Sequence, residues 1–241
     1  MSKDFAELDY RETPLGELIL RRRRMVSLGG LEIHEVKLGG AFLMSSLFHA
    51  VEEALARFGL GELKDESWDA VVGGLGLGYT AVAALEHREV ASLLIVDALL
   101  PVIEWHQRGL VPLGKKLTSD VRCRMVQADF FERAQSREGF DPEQPGRKFH
   151  AVLLDIDHSP RNLLHPRNAA FYQKEGLKAL AAHLHPDGVF ALWSDDPPEE
   201  EFLELLGTAF ATARAHVVTF PNPVLEAESA STVYVVQKAD E

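Results

Sequence analysis

Val71, Val72, Gly73, Gly74, Leu75, Gly76, Leu77, Gly78, Tyr79 and Thr80 end an apolar strand, turn on alternating glycines and open a helix. Gly74, Gly76 and Gly78 form a G-x-G-x-G run at the strand's carboxyl end, where a residue without Cβ can take positive φ or let a ligand approach the backbone. The leucines between them point to packing. A dinucleotide fingerprint asks for glycine or alanine at position 79, because the first helical turn must lie close to the strand and the pyrophosphate needs the helix terminus. Tyr79 stands there instead, which favours a nucleoside-type ligand such as S-adenosylmethionine (SAM). A glycine-rich strand-to-helix turn with no ligand has the same local pattern, so acids further along the chain decide between the two.

The 241 residues, 46% hydrophobic and 26% charged, suffice for one large α/β domain or a domain with a small appendage. A single cysteine, Cys123, allows no intrachain disulfide, and no apolar signal-type run opens the chain, so a reducing cytoplasm is expected. No apolar run approaches the roughly 20 residues of a membrane span, and a soluble protein is expected. The formal net charge of −12 repels nucleic acid and draws in cationic ligands such as amines. Arg21 to Arg24 form the one basic run, which reads as a solvated strand end because a nucleic-acid patch needs a broad basic face with aromatics nearby.

Residues 1–9 are polar and read as frayed. Leu15 to Arg24 and Leu31 to Leu38 form a hairpin around Ser27, Leu28, Gly29 and Gly30, with a short third strand after Gly39 and Gly40. Ser45 or Ser46 caps a helix from Leu47 to Phe58, stopped by Gly59. With 61–67 as a linker, residues 1–60 form a small N-terminal region and 61–241 the main domain. From Trp68 onward, strands and helices alternate, which predicts a parallel sheet covered on both faces. The strands are Trp68 to Gly73, Ser92 to Asp97, Val121 to Ala128, His150 to Asp155 and Gly188 to Ser194. Helices are expected over Thr80 to His87, Pro101 to Arg108, Asn168 to Leu184 and Glu199 to Ala213, with 133–149 as a surface loop. Ala215 to Phe220 and Ser231 to Gln237 then add an antiparallel pair, and a seven-stranded sheet results.

Acids close several of these strands. Asp97 lies 19 positions after Gly78, where such folds place a carboxylate against two ribose hydroxyls; an ordinary strand-end aspartate is the plainer reading. Asp129 can accept a hydrogen bond from an adenine amino group while Phe130 packs on the ring, or it can cap the following helix. Asp155 ends the fourth strand, at the edge where open α/β sheets bind ligands, and can take a proton from an attacking amine or hold a cationic substrate. Asp157 and His158 follow it as second and third candidates. Trp193, Ser194, Asp195 and Asp196 either line the rim or begin an acidic helix. No metal-ligand spacing of Cys and His and no Ser/His/Asp set is evident.

Together these residues resemble the spermidine synthase (polyamine aminopropyltransferase)-like family of the class I SAM-dependent methyltransferase superfamily. Gly74 to Thr80 aligns without a gap on the family's Gly-Gly-Gly-Asp-Gly-Gly-Thr turn. Asp97 falls on its ribose-binding acid, Asp129 on its adenine-side aspartate, and Asp155 on the first aspartate of its Asp-Ser-Thr-Asp-Pro loop. Phe171, Tyr172 and the run Leu184, His185, Pro186, Asp187, Gly188, Val189 resemble the helix and strand entry that follow, and the N-terminal hairpins resemble its small β domain. The resemblance implies a Rossmann-like seven-stranded fold of SAM-methyltransferase type with a small N-terminal β-hairpin domain. It further implies a homodimer that transfers aminopropyl from decarboxylated SAM, without a metal, to a small-molecule acceptor such as a polyamine. On this reading Gly74, Gly76, Leu77, Gly78, Asp97, Asp129 and Phe130 hold the cofactor. The chain departs from the pattern at Leu77, which replaces the aspartate that meets the cofactor's amino group. It departs also at Val51 and Glu52, where the family has a Tyr-His pair, and in a loop one residue longer after Asp155. A SAM methyltransferase and a catalytically silent nucleoside-binding protein remain the alternatives.

Overall fold

The computed structural model describes residues 4–64 and 66–240. Four antiparallel strands come first, β1 (Phe5–Thr13), β2 (Gly16–Met25), β3 (Leu31–Leu38) and β4 (Ala41–Ser45), and they pair in that order. After α1 (Ala50–Gly61) come β5 (Trp68–Gly73), α2 (Tyr79–Leu85), β6 (Val90–Asp97), α3 (Leu100–Gln107), α4 (Gly114–Ser119), β7 (Cys123–Gln127) and α5 (Phe130–Gln135). The chain continues through β8 (Phe149–Leu154), α6 (Lys174–Ala182), β9 (Leu184–Ser194), α7 (Glu200–Leu206), β10 (Thr212–Asn222) and β11 (Ala227–Gln237). The large sheet has seven strands in the order β10-β11-β9-β8-β5-β6-β7, parallel from β9 to β7 and antiparallel where β11 joins β9 and β10.

Successive residues of a strand point to opposite faces, so a central strand apolar at every position must be covered twice. Val72, Ile95 and Leu153 belong to the core with α1, α2 and α3, while their neighbours Val71, Leu94 and Val152 belong to the core with α5, α6 and α7. The chain moves from β5 through β6 to β7 in one direction and then returns to place β8 on the other side of β5. The strand order therefore reverses between β5 and β8. In open parallel sheets that is where a crevice forms at the carboxyl ends.

Several elements differ from their sequence reading. Residues 5–9 belong to β1, held against β2 and by the Trp105 indole, whose Nε1 donates to Asp9 at 2.8 Å. The first helix starts at Ala50, because Ser45 accepts from the Leu47 amide and Ser46 from His34, leaving His49 as a cap without a side-chain bond. Gly59 lies inside that helix, where an added Cβ would meet Leu153 and Ala191. Since α1 packs on α2, β8, β9 and β11, we draw the boundary between the small and large regions after Ser45. Asn168 to Leu184 splits into a 3-10 turn (Pro166–Ala170) and the shorter α6, because the Asn168 side chain is drawn to Asp157. The segment 133–149 is anchored, with Phe140 and Asp141 buried and Asp141 paired with Arg124 and Arg147. Helix α4 has no counterpart in the sequence reading, and α7 ends at Leu206.

Gly74, at φ +91°, sits where an added Cβ would overlap the carbonyl oxygen of Asp155. Neither backbone can retreat, because Gly74 N donates to Val96 O at 2.9 Å and Asp155 N to Gly73 O at 2.8 Å. Gly74→Ala is expected to cost about 2 kcal/mol or more in chemical denaturation, from the positive φ and the backbone overlap together.

Candidate functional site

Two adjoining hollows open at the carboxyl ends of β5, β6 and β8. The smaller, of about 100 Å³, is bordered by Gly74, Asp97, Val102, Asp129, Phe130 and Arg167. The larger, of about 450 Å³, is bordered by Phe42, Phe48, Glu52, Trp193, Asp195 and Phe220, and by the turn from Leu75 to Tyr79. Met44, Gly76, Asp155 and Ile156 border both. The turn and Asp155 are therefore the partition between the two.

On the smaller side, both carboxylate oxygens of Asp97 already hold backbone: Oδ2 accepts from Leu75 N at 2.9 Å and Oδ1 from Leu99 N at 2.7 Å. Burial raises its pKa and these amides oppose the rise. The Gly76 amide acts on the same carboxylate in the same sense. Asp129 caps α5, its Oδ1 accepting from Phe131 N and Glu132 N, while Oδ2 pairs with Arg167 at 2.7 Å. Oδ1 is thus the helix cap. Phe130 borders the same hollow from below, its ring so close under Gly73 that a Cβ there would strike it. Beneath Gly76, the buried His106 lies with Nε2 3.0 Å from the Gly76 carbonyl. A carbonyl only accepts, so Nε2 carries the proton, and burial keeps the ring neutral.

At the partition, Thr80 opens α2 and donates from Oγ1 to Asp155 Oδ2 at 2.8 Å. Burial nevertheless pushes Asp155 up to about 6, with the Thr80 bond opposing it. Glu52, in the first turn of α1, is pushed up to about 8 by burial and by the charge of Asp155. Tyr79 stacks on His49 with ring centroids 4.3 Å apart. Neither Glu52 nor Thr80 stood among the site residues expected from sequence, although Thr80's place directly after the glycine turn was a usable signal. The aromatic walls Phe42, Phe48 and Phe220 were equally out of reach, since they come from three separate elements.

The structure brings Gly76, Asp155 and His158 to the larger cavity and gives Asp157 another place. Asp157 is wholly buried and lines neither hollow. Its carboxylate accepts from Leu164 N (2.7 Å), Asn168 Nδ2 (2.9 Å) and the Tyr172 hydroxyl (2.9 Å), which fastens the loop after β8 to the turn before α6. The His158 carbonyl accepts from Asp195 N at 2.7 Å, which ties that loop to the end of β9. Leu77 borders the larger cavity but is almost wholly buried in the core on the α1 side. The Trp193 indole Nε1 is buried without a partner among the described residues. No group of three or more His, Cys, Asp or Glu side chains gathers as metal ligands among the described residues, and no helix there is long and apolar enough to cross a membrane.

Neither a protein-family model nor a curated protein sequence matches this chain. Among solved structures, the spermidine synthase from Thermotoga maritima matches 98% of this chain and 74% of its own, with a TM-score of 0.73 at 15% identity. A spermidine synthase solved in complex with the transition-state analogue AdoDATO matches over the same shares with a TM-score of 0.74, again at 15% identity. The fold is therefore spermidine-synthase-like, as the sequence led us to expect. At this identity the likeness extends to the fold alone.

Asp157 supplies the prediction that separates loop anchoring from chemistry. Asp157→Ala strands the Leu164 amide, the Asn168 amide group and the Tyr172 hydroxyl in a buried setting, and is expected to cost about 2–4 kcal/mol of stability in denaturant unfolding.

Proposed function

We propose that the protein is a spermidine-synthase-like transferase. It binds SAM or decarboxylated SAM across the glycine turn and moves an aminopropyl or related group to an amine, such as a polyamine, in the larger cavity. One observation carries this reading: Asp155 borders both hollows, and the larger one is lined by carboxylates and aromatic rings with no Lys or Arg among the described residues. Such a lining favours a cation, through charge and through aromatic faces.

Asp97 holds the ribose end, and the backbone from Gly74 to Gly78 faces the sulfonium. The chemistry asks little of the protein beyond placing two reactants and removing one proton. Asp155 takes that proton from the acceptor ammonium, and the freed nitrogen lone pair attacks the carbon bound to sulfur. The C–S bond breaks with its electron pair going to sulfur, and a neutral thioether leaves as the C–N bond forms. His158 stands at the acceptor side of the same cavity. A second reading, methyl transfer from SAM, is favoured by Leu77, because a buried leucine offers no carboxylate to select a decarboxylated cofactor.

Calorimetric titration with SAM, decarboxylated SAM and methylthioadenosine, followed by mass spectrometry of products formed with simple amines, tests both. Tight binding of decarboxylated SAM with an aminopropylated product supports the first reading, and a methylated product supports the second. Binding of none of the three compounds overturns both. Asp155→Asn keeps the shape and removes the base, so cofactor affinity should survive while turnover falls about 10²- to 10⁴-fold. The base must be ionised to work. With Asp155 raised to about 6 in the free protein, the wild-type kcat/KM should fall as the pH drops through that value.

A further inference from the structure

Glu52 lines the cavity that Asp155 borders, where no Lys or Arg among the described residues faces it. The titratable groups around it are His49 and Glu53 on its own helix, Tyr79 on α2, Asp155 and His158 after β8, and Asp195 after β9. His49 is taken up by Glu53 at 2.7 Å, and Glu53 in turn by Arg57 at 2.9 Å. Asp195 accepts from the Ser231 hydroxyl at 3.2 Å. Asp155 has the Thr80 hydroxyl, which can quiet one oxygen but carries no charge. Glu52 and Asp155 therefore share a cavity walled by Phe42, Phe48, Trp193 and Phe220, with the exposed Asp195 also bordering it and no Lys or Arg lining it among the described residues. Like charges sharing such a cavity repel each other, and where two carboxyl groups face one site that repulsion keeps one of them neutral.

We propose that Glu52 and Asp155 hold a single proton between them in the free protein, and that a cationic amine entering the larger cavity takes that proton's place. At neutral pH the proton rests on Glu52, the group that burial and the Asp155 charge raise further, and Asp155 is the charged member. The division suits the transfer. Asp155 is left ionised as the base, and Glu52 is a neutral hydrogen-bond donor until a positive charge arrives. When the ammonium enters, the Glu52 O–H bond breaks, its proton passes to solvent, and the cavity meets the cation with two carboxylates. The shared proton stands on the free protein alone, whereas its displacement rests on the amine-acceptor reading.

The first test needs no ligand. A carboxyl group raised in the folded state binds a proton over a range where the unfolded chain has lost it, so its contribution to stability falls as pH rises from about 5 to about 8. Melting curves of ligand-free wild type and Glu52→Gln should diverge across that window, with the variant gaining about 3–6 °C on the wild type between its two ends. Asp155→Asn should move the wild-type fall to lower pH, because it removes the like charge. Wild-type and Glu52→Gln curves that stay parallel at every pH overturn the shared proton. A second measurement does not depend on the variants folding. Butane-1,4-diamine is titrated calorimetrically into wild-type protein at pH 7, in buffers of different ionisation enthalpy. Release of about one proton per diamine supports the displacement. Binding without proton release, or no binding, overturns it, and the melting curves still decide whether the proton was shared.

Discussion

No side chain is tolerated at position 74, and the site's arrangement depends on that missing atom. The glycine turn leaves β5 by passing so close to the backbone after β8 that only a residue without Cβ fits beside the Asp155 carbonyl. Hydrogen bonds from Gly74 to β6 and from Asp155 to β5 fix this approach from both sides. The consequence reaches the chemistry. Because the turn is tight, α2 begins at Tyr79, and its second residue, Thr80, reaches the Asp155 carboxylate. One glycine thus sets the position of the proposed base and of the hydroxyl that orients it.

Four aspartates at or just past strand ends have different roles, and their partners explain the difference. Asp97 binds the Leu75 amide of the glycine turn and the Leu99 amide just past its own strand, Asp129 caps a helix and pairs with an arginine, and Asp157 gathers three donors in the interior. Asp155 alone of the four borders both hollows, with the Thr80 hydroxyl as its side-chain partner. In a carboxylate that accepts several hydrogen bonds, as in Asp97 and Asp157, those donors oppose the upward pull of burial. One that is buried with few partners is poised near neutrality, which is the condition a general base needs.

Much of this could be read from residue order, for physical reasons. Strands apolar at every position announce a sheet covered on both faces, and in such sheets the acids at their carboxyl ends fall on the ligand side whatever the loops do. That is why β5, β6, β8 and the places of Asp97 and Asp155 were legible. β1 was missed although Phe5 to Thr13 carries the alternation of a strand; its order comes from pairing with β2 and from the Trp105 indole, nearly a hundred positions away. The start of α6 was misread for a related reason: local helix preference over Asn168 to Phe171 is overridden by Asn168's bond to Asp157. Glu52 is an ordinary acidic residue in a first helical turn until the fold closes α1 over the end of β8.

The two hollows also differ in what builds them. The smaller one is assembled mostly from the ends of the large sheet's strands and the loops that follow, which the core packing fixes. The larger one is walled by β4 of the small sheet, by the first turn of α1 and by the far half of the β10–β11 hairpin. β11 pairs with β9 only from Thr232 to Gln237, so Val218 to Asn222 and Ala227 to Ser231 overhang the sheet and reach the cavity from its edge. The exposed Phe42 and the overhanging strand ends can change with less cost to the core than the turn and its acids, which cannot move without disturbing β5, β6 and β8. On the proposed transferase reading, the acceptor side of the site is thus built where the fold is more free to vary, and the cofactor side where it is least free.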